Sequence, residues 1–482
     1  MCENPKKADP DTRARPKTAG QKNSRKPQPG EKVTPVRCRP LTYPCPTCGR
    51  LGRRRHRYDR FVRSIAYGSV LWLHLFYAEY TARCSCRKYF RSCPPAVCPK
   101  ADYDNLVRQA VLNRILDDGL NVQRTIAAMK RDFLLDLSVG FIYDCLDWGL
   151  TRISDGGQRR QNARQCQGVV CIDELHLGEY TLLLCTDPLT DRVLGYSLVR
   201  VNDQPHMFRF MQMLDYWGLR PKVVVSDGSN LYPAVLAEVW PQARHQLCVF
   251  HVLQDVTTKV LDAVRRLRRE QVRRGNSGRK RRRGRPTKKQ QRERENRRRR
   301  SGPTNKEKAA FMYKRRFLVV KRPENLSERE TEDLEVMFGY LSELRVLRKF
   351  CLEVYQLFNA EQTVRLARRR RTLLLKKAEY KEVAELEEAM GLLQPEKFDK
   401  MIAFLEQPAG QRMRTNNHVE RTNRKIRFDE KVRYKFRTRR SLERFLRLRL
   451  DRLNQVSPAP RPADTRANQA ASPPKAPGSG RD

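Results

Sequence analysis

The chain has 482 residues, with 100 Lys and Arg against 54 Asp and Glu, for a formal charge of +46. So much like charge does nothing for a fold and is tolerated where a polyanion neutralises it, which points to a phosphate backbone as partner. A membrane-spanning role is excluded, because the best apolar run, Val70 to Ala78, falls far short of the ~20 residues a spanning helix needs.

The length allows roughly three domains, and composition divides it further. Met1 to Arg37 is rich in Pro, Lys and Arg and has no apolar block, so residues 1–37 read as a disordered basic arm without a secretory leader. The 14 cysteines are then expected as reduced thiols in a cytoplasmic protein. Six of the first eight crowd between Cys45 and Cys98, a spacing that favours metal over disulfide inside a cell. Residues 38–100 therefore read as a zinc-ribbon-like module. Cys45-Pro-Thr-Cys48 supplies one half of a structural Zn²⁺ site, and Cys84-Ser-Cys86 an imperfect second half. Tetrahedral sites prefer two or more intervening residues, so Cys93 or Cys98 can replace one of that second pair. Between the halves, Tyr67 to Phe76 is strand-like.

Residues 101–155 read as a helix-turn-helix. Leu106 to Leu116 has an apolar face, Leu120 to Met129 follows Gly119, and Ser138 is placed to cap Val139 to Trp148. Such a unit presents a helix to the major groove.

From residue 168 to 264, strand and helix patterns alternate, as an α/β layer requires. Gly168 to Ile172, Tyr180 to Cys185 and Arg192 to Arg200 predict three adjacent strands of an antiparallel meander. Pro205 opens a helix to about Trp217, Lys222 to Ser226 is a fourth strand, a helix runs on to Val239, and His245 to Val249 is a fifth strand. The order matches an RNase H-like mixed sheet flanked by helices.

Two acids, Asp173 and Asp227, each follow an apolar strand in this reading, where residues project into the crevice in which α/β sheets build sites. Glu420 lies in Arg414-Thr-Asn-Asn-His-Val-Glu-Arg-Thr-Asn-Arg424. With a helix starting near Asn417, Glu420 sits in the first turn, with Asn423 and Arg424 one turn on and Lys425 and Arg427 close by. Three carboxylates suit divalent metal chemistry on phosphate esters. Each also has an ordinary reading: an Asp after a strand is commonly a turn residue, and Asn417-x-x-Glu420 is a capping box.

Four blocks change that weighting. Cys171-Ile-Asp-Glu174 with Tyr180-Thr-Leu-Leu-Leu184 resembles the first block of DDE insertion-sequence transposases. Val224-Val-Ser-Asp-Gly-Ser-Asn-Leu-Tyr-Pro-Ala-Val235 resembles the second. Trp240 to Val252 is similar to the segment that follows, including the Cys248-x-x-His251 signature, and Thr415 to Arg424 resembles the Glu-bearing block. The resemblance implies Asp173, Asp227 and Glu420 as a triad for Mg²⁺ or Mn²⁺, with Cys248, His251 and Asn423 beside it. It is closest to families with an N-terminal zinc ribbon, and the subfamily stays open. It implies a transposase that binds double-stranded DNA at element ends and target, cuts and joins strands, and works as a homo-oligomer on DNA. The location would be the cytoplasm, on the nucleoid if the host is prokaryotic. The alternative is a catalytically silent DNA-binding regulator descended from such an enzyme.

The core is then residues 165–264 with 406–456, interrupted by a basic and helical insertion over 265–405. Arg265 to Arg300 holds 20 Lys or Arg and 3 Glu. Within it Arg283-Gly284-Arg285-Pro286 resembles an AT-hook, whose arginines meet the negative potential of a narrow minor groove. The stretch from residue 457, rich in Pro and Ala, reads as a disordered tail.

Overall fold

The computed structural model describes residues 26–81, 89–94, 96–153, 156–276, 302–432 and 438–456, with a few single positions between. Cys84, Cys86 and the Arg283–Pro286 motif lie outside the described residues. The chain divides into two compact units, Met1–Ile153 and Ser154–Asp482.

The first unit opens with a five-stranded sheet. Strands β3 (Leu51–Ala66) and β4 (Ser69–Thr81) form a long antiparallel hairpin, with β1 (Lys32–Cys38) parallel to β4, β2 (Thr42–Pro44) on β3 and β5 (Tyr89–Arg91) on β4. Gly68, at φ +64°, makes the hairpin turn in the left-handed region that glycine tolerates. The sheet thus begins at Lys32, inside the stretch expected to be a disordered arm. Its pairing explains why: Lys32 to Cys38 are mostly exposed but run in register beside Leu71 to Tyr77.

Three helices follow, α1 (Asn105–Leu116), α2 (Val122–Phe133) and α3 (Val139–Leu150). Each start has a side-chain cap: Asp104 accepts the Val107 N–H at 3.0 Å, Asn121 the Arg124 N–H at 2.9 Å and Ser138 the Phe141 N–H at 3.1 Å. A cap of this kind contributes about 1 kcal/mol, and Val107, Met129, Ile142 and Cys145 are fully buried. The second helix starts two residues later than its apolar pattern suggests, because Asn121 takes the cap.

The second unit is built on a sheet of order β10-β9-β6-β7-β8. Strands β6 (Val169–Leu177), β7 (Tyr180–Asp187) and β8 (Arg192–Val199) make the expected antiparallel meander, while β9 (Val223–Ser226) and β10 (Arg244–Leu247) run parallel to β6. Side chains alternate between faces. Val170 and Ile172 pack with helices α5 (Gln204–Tyr216) and α6 (Tyr232–Val239), which follow α4 (Gly157–Gln165). Val169, Cys171, Leu175 and Leu177 pack on the other face, against the two C-terminal helices. This mixed sheet between helices fits an RNase H-like transposase core.

The expected boundary near residue 264 is absent. Helix α7 (Val249–Asn276) is one element of 28 residues, and it buries Val256, Val260, Ala263 and Leu267 at helical spacing in a separate apolar core. That core is completed by α8 (Asn305–Arg315), α9 (Glu328–Tyr340), α10 (Glu343–Leu357), α11 (Val364–Lys376), α12 (Ala378–Lys381), α13 (Ala384–Gly391) and α14 (Pro395–Met401). The insertion is tied to the sheet edge by fully buried Gln246 of β10, which donates to the Met401 carbonyl at 2.8 Å and accepts the Phe404 N–H at 2.7 Å. The chain then returns as α15 (Asn417–Val432) and α16 (Arg439–Val456).

Candidate metal centre

The site forms where β9 stops and β6 does not. The last parallel pair between them is Cys171 with Val225, yet β6 keeps pairing with β7 through Leu177. Asp173 is therefore mid-strand, opposite Leu184, rather than at a strand end as the sequence suggested. The long antiparallel partner holds the strand open past the point where the apolar run ends. Asp227 is where expected, the first residue after β9, with its Oδ1 accepting the Ser229 N–H at 2.9 Å.

Beyond Cys171 the β9 side of β6 has no neighbouring strand, so consecutive acids can reach the same opening. Asp173 begins on the face covered by α15 and Glu174 on the face covered by α5 and α6. Even so, carboxylate oxygens of Asp173, Glu174 and Asp227 all lie within 4.8 Å of one another. Glu174 was not singled out from sequence. The available signal was a pair of adjacent charges straight after four residues buried on both faces.

Helix α15 closes the opening. Val419 and Ile426 are fully buried against the sheet, each such side chain contributing roughly 1.5–3 kcal/mol. That anchoring brings buried Asn423 to Asp173, where its Nδ2 donates to Oδ2 at 2.8 Å. Ahead of the helix, Asn416 donates its side-chain N–H to the Ile172 carbonyl at 3.3 Å. Glu420, in the first turn, is near enough for its charge to act on Asp173. The capping box read from Asn417 and Glu420 is not formed: Asn416 precedes the helix and its carbonyl accepts the Glu420 N–H at 3.2 Å.

Burial, reinforced by Glu174, Asp227 and Glu420, pushes the Asp173 carboxyl up to about 7. Burial and the Asp227 charge push Glu174 to about 7 as well. The cluster also leaves buried atoms with no hydrogen-bond partner among the described residues: Glu174 Oε1, Glu420 Oε1, Asn416 Oδ1 and Asn423 Oδ1. An unmatched buried polar group costs about 1–3 kcal/mol. Acceptor oxygens gathered without donors are the environment that a hard cation satisfies.

Cys248 and His251 stand beside Glu420, with one ligand atom of each within 4.8 Å of the others and His251 Nε2 at 3.8 Å from Glu420 Oε1. Here the sequence pattern extended β10 too far. The strand ends at Leu247, and the Cys248 carbonyl accepts the Val252 N–H at 3.4 Å as α7 begins. Burial pushes the Cys248 thiol up to about 11, against the N–H groups of Asn416, His251 and Phe250. Nearby, burial lowers His245 to about 4, leaving a neutral ring whose Nε2 lies 2.8 Å from Ser226 Oγ.

Asp173, Asp227, Glu420, Asn423, Cys248 and His251 are thus gathered round one crevice of the second unit. Arg424, Lys425 and Arg427 lie on the exposed side of α15. A family model described as transposase, for DDE enzymes of the ISL3 type, matches residues 170–445, more than half of the chain. The chain belongs to the ISL3-type DDE transposase family. The matched span runs from β6 through the helical insertion into α16, so this transposase carries its insertion inside the family region. No curated protein matches the chain.

The cysteines of the first unit are not assembled in the same way. Cys45 is buried against Ala78, Tyr80 and Phe90, while Cys48 is exposed. Cys93 and Cys98 hydrogen-bond locally, to the Val97 carbonyl and Asn105 Oδ1, each at 3.3 Å. Among the described residues no group of three ligand side chains includes any of these four.

Proposed function

We propose that this transposase cuts DNA strands and joins them to target DNA, using divalent cations held by Asp173, Asp227 and Glu420, with Glu174 in the same cluster. The reading is supported by one arrangement: acids of β6 and of the end of β9 lie within 4.8 Å of one another, and the helix that carries Glu420 is bonded to Asp173 through Asn423. When bound, Mg²⁺ or Mn²⁺ would polarise the scissile phosphate and lower the pKa of an attacking water. The protein's own part is positioning and charge. Asn423 fixes one oxygen of Asp173 by donating to it. Ser229 fixes one oxygen of Asp227 through its N–H. The high affinity of Asp173 and Glu174 for protons requires them to be stripped before they can hold a cation. Arg424, Lys425 and Arg427 face solvent on the helix that carries Glu420 and would neutralise the phosphates of bound DNA.

The same reading gives the first unit the task of holding DNA. The three capped helices suit a helix-turn-helix, and Cys45 with Cys48 suits half of a structural zinc site. The basic segment containing Arg283, Gly284, Arg285 and Pro286 would add minor-groove contacts. A homo-oligomer assembled on the DNA completes the proposal.

The test is nicking of supercoiled plasmid. Wild-type protein should nick with Mg²⁺ and not with EDTA, and Asp173→Ala should bind DNA in a gel shift while failing to nick. Unimpaired cutting by that variant ends the catalytic reading. Metal-independent DNA binding without nicking by the wild type would favour the silent regulator.

A further inference from the structure

The acid cluster and the cluster beside it differ in ligand chemistry. Asp173, Glu174 and Asp227 offer only hard carboxylate oxygens, which suit Mg²⁺ or Mn²⁺. Cys248, His251 and Glu420 offer sulfur, imidazole nitrogen and a carboxylate oxygen, a set suited to borderline-soft ions such as Zn²⁺. We infer that Cys248, His251 and Glu420 hold a zinc-type transition metal adjoining the hard-cation site, with the Glu420 carboxylate shared between the two, a step that builds on the reading of Glu420 as part of the acid site.

Three features carry this. His251 Nε2 and Glu420 Oε1 are 3.8 Å apart, too far for a hydrogen bond. Nitrogen and oxygen ligands of one tetrahedral zinc, each about 2.0–2.1 Å from the ion, stand roughly 3.3–3.4 Å apart, a few tenths of an ångström less than this separation. Glu420 Oε1 is buried without a hydrogen-bond partner among the described residues. Cys248 is 1% exposed at the start of α7, and its sulfur accepts the Asn416 N–H at 3.2 Å, a placement that stabilises negative charge on sulfur. The ligands come from the two segments that close the core, the β10–α7 junction and the start of α15. An ion there would fasten the returning helix to the sheet. The fourth tetrahedral position would fall to water or to a DNA phosphate oxygen.

The experiment measures metal content of the full-length protein by mass spectrometry, and near-ultraviolet absorption after replacement by Co²⁺, which reports sulfur coordination. Relative to wild type, Cys248→Ser and His251→Ala should each lose one equivalent of zinc per chain, and Cys248→Ser should lose the corresponding sulfur-to-cobalt band. Asp173→Asn should retain that equivalent while losing cleavage, so the zinc inference and the catalytic reading fail independently. The half-exposed His251 ring can be removed without opening the core, so His251→Ala decides the matter even if Cys248→Ser does not fold. Wild-type zinc content in His251→Ala overturns the inference.

Discussion

The helical insertion and the β6–β9 crevice treat carboxylates in opposite ways. In the insertion, acids are matched with bases: Arg266 Nε meets Glu385 at 2.7 Å and Lys321 meets Glu330 at 2.6 Å. Those partners hold Glu385 and Glu330 below the usual carboxylate range. In the crevice, acids are matched with one another, and Asp173 and Glu174 are driven up to about 7. Cations are not scarce in a chain with 100 Lys and Arg, yet among the described residues none forms an ion pair with Asp173, Glu174 or Asp227. Among the described residues the exposed Arg424 and the His251 ring approach the neighbouring Glu420, at 3.6 Å and 3.8 Å. The insertion's acids serve packing and solubility, whereas the crevice keeps its negative charge uncompensated for something that binds there.

The contrast between the two regions breaks if neutralising crevice acids is harmless. Asp173→Asn, Asp227→Asn and Glu420→Gln should each slow plasmid nicking by about 10³-fold or more, matching the several kcal/mol a bound ion supplies. Asn423→Ala removes only the group that orients Asp173. A loss of about 10–100-fold is expected, as for other partners of metal ligands, with DNA binding in a gel shift unchanged.

Acidity sharpens the contrast. Asp173 and Glu174 must be ionised to hold a cation, so Mg²⁺-dependent nicking should rise as pH increases through about 7. For stability the sign is also set by the raised values. These two groups favour the metal-free folded state below pH 4, where they are protonated in folded and unfolded chains alike. That support is lost as pH rises through about 7. Mg²⁺ should consequently raise the melting temperature more at pH 8 than at pH 6, and Asp173→Asn should melt higher than wild type at pH 8 in EDTA. Equal Mg²⁺ shifts at both values would contradict the shared-charge account.

Smaller effects belong to the surfaces. Replacing Arg424, Lys425 and Arg427 with Ala should weaken DNA binding and flatten its salt dependence by roughly one unit of log–log slope for each phosphate that is no longer neutralised. Glu385→Gln in the insertion should lower stability by about 1 kcal/mol or less and leave nicking unchanged.

Much of this was legible in the sequence, and the exceptions have physical causes. The five strands of the core, their order, and Glu420 in the first turn of its helix follow from apolar periodicity and local spacing. The position of Asp173 within its strand does not, because strand length past Ile172 is set by pairing with β7. Glu174 was hidden for the same reason: alternation assigns it to the opposite face, and only the early end of β9 lets it join Asp173. The α7 boundary was missed because charge composition changes near residue 265 while the buried Val256-Val260-Ala263-Leu267 spacing continues. Strand β1 escaped notice since it is held by hydrogen bonds along β4 and buries little of its own.

The convergence of residues 173, 227 and 420 can be read directly by affinity cleavage. Fe²⁺ loaded in place of Mg²⁺, with ascorbate and peroxide, cuts a polypeptide next to the ion's ligands. Cuts are expected at all three places, near Asp173, near Asp227 and near Glu420, each suppressed by excess Mg²⁺. Cuts confined to the first two, with the start of α15 untouched, would contradict a shared metal centre.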